Sequence, residues 1–441
     1  MLPVVALTGR PNTGKSTLFN RLAGKREALV ADYPGLTRDR RHCLARLDGR
    51  RVILVDTPGV GEGGDWDEAL RGQFERALAE SDLAVLLTDA RQGLCPADEA
   101  AAGWMREAGC PVILAVNKSE GQPPEISVAE FHALGIPDPH AISALRGDGV
   151  AALADAVARA LPAGAETPEA DPGRIRIAII GRPNVGKSTL VNRYLGEERM
   201  LVRDQAGTTR DSVPLDFEYG GEPCTLVDTA GIRRRTRVDP GPERLSVTQA
   251  LQAIEQADAV IVLLDAREGA TEQDLRLISL ALDRGRALVI GANQWDRLPA
   301  SGRTRVNDEL TRQLNFLDFV DLHRVSALRG WSVTKLLDSA LAGVESASRD
   351  LPTGQLNAVL RRAVEEHATP RRGGRRIRLN YAHQGGKHPP LIVIHGRQTE
   401  HLPASFRRYL ARRVRTKFGL RGTPVRIELR TGANPYTESS T

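Results

Sequence analysis

Gly9-Arg10-Pro11-Asn12-Thr13-Gly14-Lys15-Ser16-Thr17-Leu18 returns 172 residues later as Gly181-Arg182-Pro183-Asn184-Val185-Gly186-Lys187-Ser188-Thr189-Leu190. Each copy follows a short apolar run that reads as a strand. In the pattern Gly-x-x-x-x-Gly-Lys-Ser, a glycine-rich turn between strand and helix lets successive backbone N–H groups point at a phosphate, and the helix adds its positive N-terminal end. In that setting Lys15 and Lys187 pair with the β- and γ-phosphates of a nucleotide, and the Ser16 and Ser188 hydroxyls ligate Mg²⁺. Two matches at equivalent points of a repeat make the fold a duplicated P-loop α/β unit.

The repeat extends outward from the loops. Asp56-Thr57-Pro58-Gly59 pairs with Asp228-Thr229-Ala230-Gly231 at the same offset, each starting 47 residues after the first glycine of its loop. Asp56 and Asp228 follow strand-like runs, which puts them at strand ends facing the phosphate crevice, where they would hold the Mg²⁺ water shell. Gly59 and Gly231 would offer a backbone N–H to the γ-phosphate. The segments 32–40 and 205–212 lie between these motifs, and Thr37 and Thr209 are their candidate Mg²⁺ ligands and γ-phosphate sensors. The residue after each Asp-x-x-Gly is Val60 or Ile232, where Ras-like enzymes carry a water-orienting Gln. Neither side chain can orient water by a hydrogen bond, so slow intrinsic hydrolysis is expected.

Continuous apolar runs separated by amphipathic stretches read as buried parallel strands: Val52–Val55, Leu83–Leu87 and Val112–Val116 in the first unit, Val260–Leu264 and Ala287–Ile290 in the second. After the last run of each unit comes a polar tetrad, Asn117-Lys118-Ser119-Glu120 or Asn293-Gln294-Trp295-Asp296. Further on stand Ser143-Ala144-Leu145 and Ser326-Ala327-Leu328. An acid at the fourth position can accept two hydrogen bonds, from N1 and N2 of guanine, that adenine cannot give. The indicated ligand is GTP or GDP. These loops resemble the GTPase pattern Asn-Lys-x-Asp plus Ser-Ala, with Glu120 lengthening the acid by one methylene and Gln294 replacing the lysine whose stem lies along the purine.

Size and charge agree with several domains. The chain has 441 residues, 41% of them apolar and 26% charged, which is ordinary globular composition. At roughly 100–150 residues per domain, about three are expected. We place them at 1–162 and 174–350 for the two G domains, joined by an acidic Pro/Gly linker at 163–173, and at 351–436 for a small basic α+β domain, with a polar tail at 437–441. In the last, a helix is expected at about Leu356–His367, strands at about Arg376–Tyr381 and Leu391–His395, a helix at about Ala404–Phe418 and a strand at Val425–Leu429.

Residues 351–441 contain 18 basic and 5 acidic residues, a net +13, so residues 1–350 carry −7 of the chain's overall +6. Clustered charge of this kind fits a polyanionic partner, most often nucleic acid. Arg371-Arg372-Gly373-Gly374-Arg375-Arg376 and the arginines of 407–415 with Lys417 are the candidate contacts. One Gly-x-x-Gly occurs, Gly419-Leu420-Arg421-Gly422, but between a helix and a strand. An RNA-clamping loop of the KH type joins two helices, so this tetrapeptide reads as a turn.

No apolar run approaches the roughly 18–20 residues of a membrane-spanning helix, and the N-terminus enters directly into a strand, so neither membrane association nor a signal peptide is expected. Cys43, Cys95, Cys110 and Cys224 form no Cys-x-x-Cys pair and read as buried thiols in a reducing cytoplasm.

Two G domains in tandem, an acidic linker and a basic α+β domain together look like the Der (EngA) family of bacterial ribosome-assembly GTPases. The marks of the resemblance are Asp-Tyr-Pro-Gly-Leu-Thr-Arg-Asp-Arg at 32–40, Ala-Gly-Thr-Thr-Arg-Asp-Ser at 206–212, and the C-terminal Pro389-Pro390, Tyr409-Leu410 and Phe418-Gly419. The resemblance implies a KH-like last domain, GTP hydrolysis with Mg²⁺, and binding of a monomer to the large ribosomal subunit and its rRNA during maturation. Asn12 and Asn184 match the loop asparagine that helps hold K⁺ beside the phosphates in potassium-stimulated relatives.

Overall fold

The computed structural model describes residues 2–24, 42–57, 68–162, 173–196, 201–202, 215–227, 247–372 and 375–431. Thr37, Pro58, Gly59, Val60, Thr209, Asp228, Thr229, Ala230, Gly231 and Ile232 lie outside them, as does most of the linker. The chain divides into two compact units, one holding the six-stranded sheet and the other the remaining three sheets.

In the first unit the strands are β1 (Val4–Gly9), β2 (His42–Leu47), β3 (Arg50–Asp56), β4 (Leu83–Asp89), β5 (Val112–Asn117) and β6 (His140–Ala141), arranged β2-β3-β1-β4-β5-β6. Every described pair is parallel except β2 with β3. Helices α1 (Lys15–Ala23), α2 (Glu68–Ala79), α3 (Pro96–Glu107), α4 (Pro124–Val128) and α5 (Val150–Ala160) accompany the sheet. All six residues of β1 and all seven of β4 are buried. These central strands read as unbroken apolar runs because residues of both faces contribute to cores, Val5 and Leu7 to one and Ala6 to the other. The edge strand β2 was missed in the apolar pattern: His42-Cys43-Leu44-Ala45-Arg46-Leu47 mixes polar with apolar residues.

The second unit repeats the plan with β7 (Ile175–Gly181), β8 (Leu201–Val202), β9 (Leu215–Tyr219), β10 (Glu222–Val227), β11 (Ala259–Asp265), β12 (Ala287–Asn293) and β13 (Asp321–Arg324), in the order β13-β12-β11-β7-β10-β9-β8. Its helices are α6 (Lys187–Leu195), α7 (Val247–Gln256), α8 (Glu272–Asp283), α9 (Arg303–Gln313) and α10 (Thr334–Ser348). In both sheets the strand before the phosphate loop is central, and its neighbours lead to opposite sides. The crevice at the carboxyl ends of such strands is where doubly wound sheets bind ligands.

The C-terminal part contains α11 (Thr353–Glu366), a two-stranded arginine hairpin of β14 (Arg371–Arg372) and β15 (Arg375–Arg376), then β16 (Arg378–Gly386), β17 (Leu391–Arg397), α12 (Ala404–Phe418) and β18 (Arg426–Thr431). β17 pairs antiparallel with β16 and parallel with β18. β16 begins later and runs further than the apolar pattern suggests, because only alternate residues such as Ala382 enter the core. Leu356, Leu360 and Ala363 of α11 and Leu410 and Val414 of α12 pack on Ile392 and Ile394.

Gly419-Leu420-Arg421-Gly422 docks this module on the second sheet. The Gly422 N–H donates to Phe319 O at 2.7 Å, and the Leu288 N–H donates to Gly422 O at 2.6 Å. Gly422 has φ 65°, and a Cβ there would come within 3.1 Å of Gly343 Cα. The tetrapeptide is thus a turn whose second glycine is spent on backbone contacts. Of the cysteines only Cys224 is buried; the other three are half-buried, against the expectation of buried thiols.

Candidate nucleotide sites

The left-handed conformations the phosphate loops need are supplied by glycine and asparagine. Asn12 and Gly14 have φ 64° and 98°, and Asn184 and Gly186 have φ 61° and 98°. A Cβ on Gly14 would stand 2.2 Å from Asn117 Nδ2, and one on Gly186 would stand 2.3 Å from Asn293 Nδ2. The glycine is required by the close approach as well as by φ.

That approach is functional geometry. Asn117 Nδ2 donates to Thr13 O at 2.7 Å, and the Ala144 N–H donates to Asn117 Oδ1 at 2.8 Å. One buried side chain therefore fastens the phosphate loop to the Ser-Ala loop. Asn293 repeats both bonds, to Val185 O at 2.7 Å and from the Ala327 N–H at 2.9 Å. Arg21 of α1 binds Ala144 O at 2.6 Å, and Arg193 of α6 binds Leu328 O at 2.6 Å, adding a second tie. In the first unit Asn12, Gly14, Lys15, Ser16, Thr17, Asn117, Lys118, Glu120, Ser143 and Ala144 line one cleft of about 530 Å³.

Lys15 is buried, and its Nζ donates to Gly9 O at 2.8 Å and Arg10 O at 2.7 Å. Burial pushes its amine pKa down, with Asp56 opposing. Lys187 likewise donates to Arg182 O at 2.8 Å. The Ser16 hydroxyl lies 3.1 Å from Asp56 Oδ2, so two oxygen donors suited to Mg²⁺ stand side by side at the mouth of the loop. Thr57 donates to Leu7 O at 3.0 Å through its hydroxyl, holding the end of β3 against β1.

Arg10 and Arg182 point away from the cleft. Arg10 Nε donates to Asp98 Oδ1 at 2.9 Å, with side chains 3% and 0% exposed, and Nη1 donates to Gln92 Oε1 at 2.8 Å. Arg182 reaches Asp274 at 3.0 Å and Glu268 at 2.7 Å. Asp98 and Asp274 also receive N–H groups at the starts of α3 and α8, from Cys95 at 3.3 Å and Thr271 at 3.1 Å. Each phosphate loop is thereby anchored to the start of a helix distant in sequence, α3 or α8, through an ion pair whose carboxylate is buried.

The base loops carry further charges that the motifs did not reveal. Lys118 and Gln294 share left-handed φ values of 64° and 62°. Lys118 Nζ pairs with Asp89 at 2.6 Å, and Glu120 Oε1 with Arg91 at 2.7 Å. Among the described residues Glu120 Oε2 has no partner of hydrogen-bond geometry. The nearby Ser143 hydroxyl, with lesser contributions from Arg91 and Arg146, holds the Glu120 carboxyl below the usual range. Asp296 lies 3.5 Å from Arg329. Asp89 and Arg91 recur as Asp265 and Arg267, which is the only signal by which the sequence could have pointed to them.

A duplicated phosphate loop, each copy braced to a base loop that ends in a half-buried carboxylate, defines a tandem G-domain nucleotide hydrolase. A family profile described as "50S ribosome-binding GTPase" matches residues 4–118 and again 176–294, and one described as "KH-domain-like of EngA bacterial GTPase enzymes, C-terminal" matches 351–430. Relatives named GTPase Der share 47% identity in Cellvibrio japonicus (99% of this chain, 94% of the relative) and 49% in Thioalkalivibrio sulfidiphilus (99% and 95%). The relative from Halorhodospira halophila shares 50% (99% and 93%). The chain belongs to the GTPase Der family and is a GTP-hydrolysing enzyme. Among the described residues no helix is long and apolar enough to cross a membrane.

Proposed function

We propose that this enzyme is a GTP-driven switch in maturation of the large ribosomal subunit, acting as a cytoplasmic monomer and reaching ribosomal RNA through its C-terminal module. The observation that carries the RNA assignment is the arginine hairpin: Arg371, Arg372, Arg375 and Arg376 are all exposed, and Arg378 and Arg397 add exposed charge on the adjoining strands. Helix α12 contributes less than its composition suggests. Arg412 and Arg415 both pair with Asp318, at 2.8 and 3.1 Å, and Arg413 pairs with Glu366 at 2.6 Å. The family profile's own description as ribosome-binding supports the same partner.

At each site the loop N–H groups and Lys15 or Lys187 would bind the β- and γ-phosphates, and Glu120 or Asp296 would select guanine. Ser16, Thr37 and Asp56 would hold Mg²⁺ in the first site, and Ser188, Thr209 and Asp228 in the second. The ion supplies charge neutralisation on the phosphate oxygens. Thr37 and Thr209 would sense the γ-phosphate together with the Gly59 and Gly231 N–H groups. With Val60 and Ile232 unable to position water, added positive charge matters more. Asn12 and Asn184 would supply it by holding K⁺, and GTP turnover should be faster in KCl than in NaCl at equal ionic strength. Equal rates would sink the K⁺ assignment.

Sedimentation with purified large subunits under GTP, GDP and no nucleotide tests the switch. Binding should depend on nucleotide and weaken when the four hairpin arginines become alanine, with the loss largest at low salt and the salt dependence shallower than that of the unaltered protein. Nucleotide-independent co-sedimentation would contradict the switch, and undiminished binding of the alanine variant would contradict the hairpin.

A further inference from the structure

The two base loops differ in charge at one position, 118 against 294, and a second residue moves with it. In the first site two acids are matched by two cations, Asp89 by Lys118 at 2.6 Å and Glu120 by Arg91 at 2.7 Å. In the second, the residue equivalent to Lys118 is Gln294, which has no charge. Its amide donates to the phosphate-loop carbonyl of Asn184 at 3.1 Å and receives a bond from Arg297 at 3.0 Å. Asp265, the counterpart of Asp89, has a side chain only 6% exposed, where a carboxylate without a cation is costly.

Arg267 turns to fill that gap. Its Nε donates to Asp265 Oδ1 at 3.0 Å and its Nη2 to Oδ2 at 2.6 Å, a forked pair. The backbone turn is the same in both units: the Arg91 N–H donates to Asp89 Oδ1 at 2.9 Å, and the Arg267 N–H to Asp265 Oδ1 at 2.9 Å. The side-chain direction differs while the loop does not. Asp296, the counterpart of Glu120, is left with Arg329 at 3.5 Å.

We propose that Arg267 is a positioning residue of the second nucleotide site: it takes over from residue 294 the neutralisation of Asp265, holding the base loop in place and leaving Asp296, whose cation Arg329 stands further off, to accept guanine. Its counterpart Arg91 does the reverse. Guanine donates N1–H and N2–H to the two carboxylate oxygens, and Arg91 already donates to one of them at 2.7 Å, so Arg91 competes with the base for Glu120. Equivalent arginines thus act with opposite sign. This inference rests on the reading of Glu120 and Asp296 as guanine acceptors.

The test uses the full chain with Lys15→Ala, so that only the second site reports, and a fluorescent GDP as probe. Arg267→Ala should weaken GDP binding by on the order of tenfold, the loss of a charge-assisted partner from a buried carboxylate. In a Gln294→Lys background, where a lysine again faces Asp265, the same change should cost no more than about twofold. Equal losses in the two backgrounds, or none in either, overturn the proposal. If Arg267→Ala fails to fold, Arg267→Gln is compared by thermal melting with and without Gln294→Lys, and absence of rescue is the contrary result. In a Lys187→Ala chain, Arg91→Ala should tighten GDP binding; a tenfold loss would contradict the opposite-sign assignment. Failure of the underlying base reading shows separately: Asp296→Asn should shift preference from GDP to XDP, and no shift would reject that reading whatever the Arg267 cycle gives.

Discussion

In the first nucleotide site Asn117 bonds the phosphate loop at 2.7 Å and the Ser-Ala loop at 2.8 Å; in the second Asn293 makes the same two bonds at 2.7 and 2.9 Å. The ion pairs around these asparagines agree far less. Lys118, Arg91 and Glu120 form one arrangement, and Gln294, Arg267 and Asp296 another. The shared frame is built from backbone groups, glycines and a neutral amide, whose geometry admits one solution. Charges around it need only balance locally, and two different sets of partners achieve that.

The anchor beneath each phosphate loop is the place where that comparison should break first. Among the described residues Arg10 has a single paired carboxylate, Asp98, and otherwise the neutral Gln92, whereas Arg182 is shared between Asp274 and Glu268. Asp98→Ala strands a guanidinium that is 3% exposed, and should cost about 3–5 kcal/mol, the usual penalty for breaking a buried pair. Denaturant unfolding followed in the first unit would show it. Asp274→Ala should cost less, because Glu268 still neutralises Arg182. Equal losses would mean that the helix-start bonds of Asp98 and Asp274, rather than their ion pairs, carry the anchor. Glu268→Gln made together with Asp274→Ala should then raise the second penalty toward the first.

Much of this was legible in the residues. Gly9, Gly14, Gly181 and Gly186 are fixed by the loop they make, and the central strands by apolar runs buried on both faces. The mixed strands β2 and β9 and the full length of β16 were not, since a strand with one polar face has no continuous run to read. Asn117 and Asn293 were recognisable as motif residues, but their role as braces follows only from which carbonyl and amide they meet. Asp89, Arg91 and Asp98 look like ordinary loop and cap residues until the fold brings α1, β4 and β5 to one edge. In α12 the sequence shows charge without showing that Asp318 and Glu366 already consume part of it.

Counting bound nucleotide in single-loop variants tests the central claim, two separate and complete GTP sites in one chain. Equilibrium titration of Lys15→Ala and of Lys187→Ala with GTP should each give one site per chain where the unaltered protein gives two, and the retained site should be the second in one variant and the first in the other. Loss of both sites from either single substitution, or one site in the unaltered chain, would contradict the account.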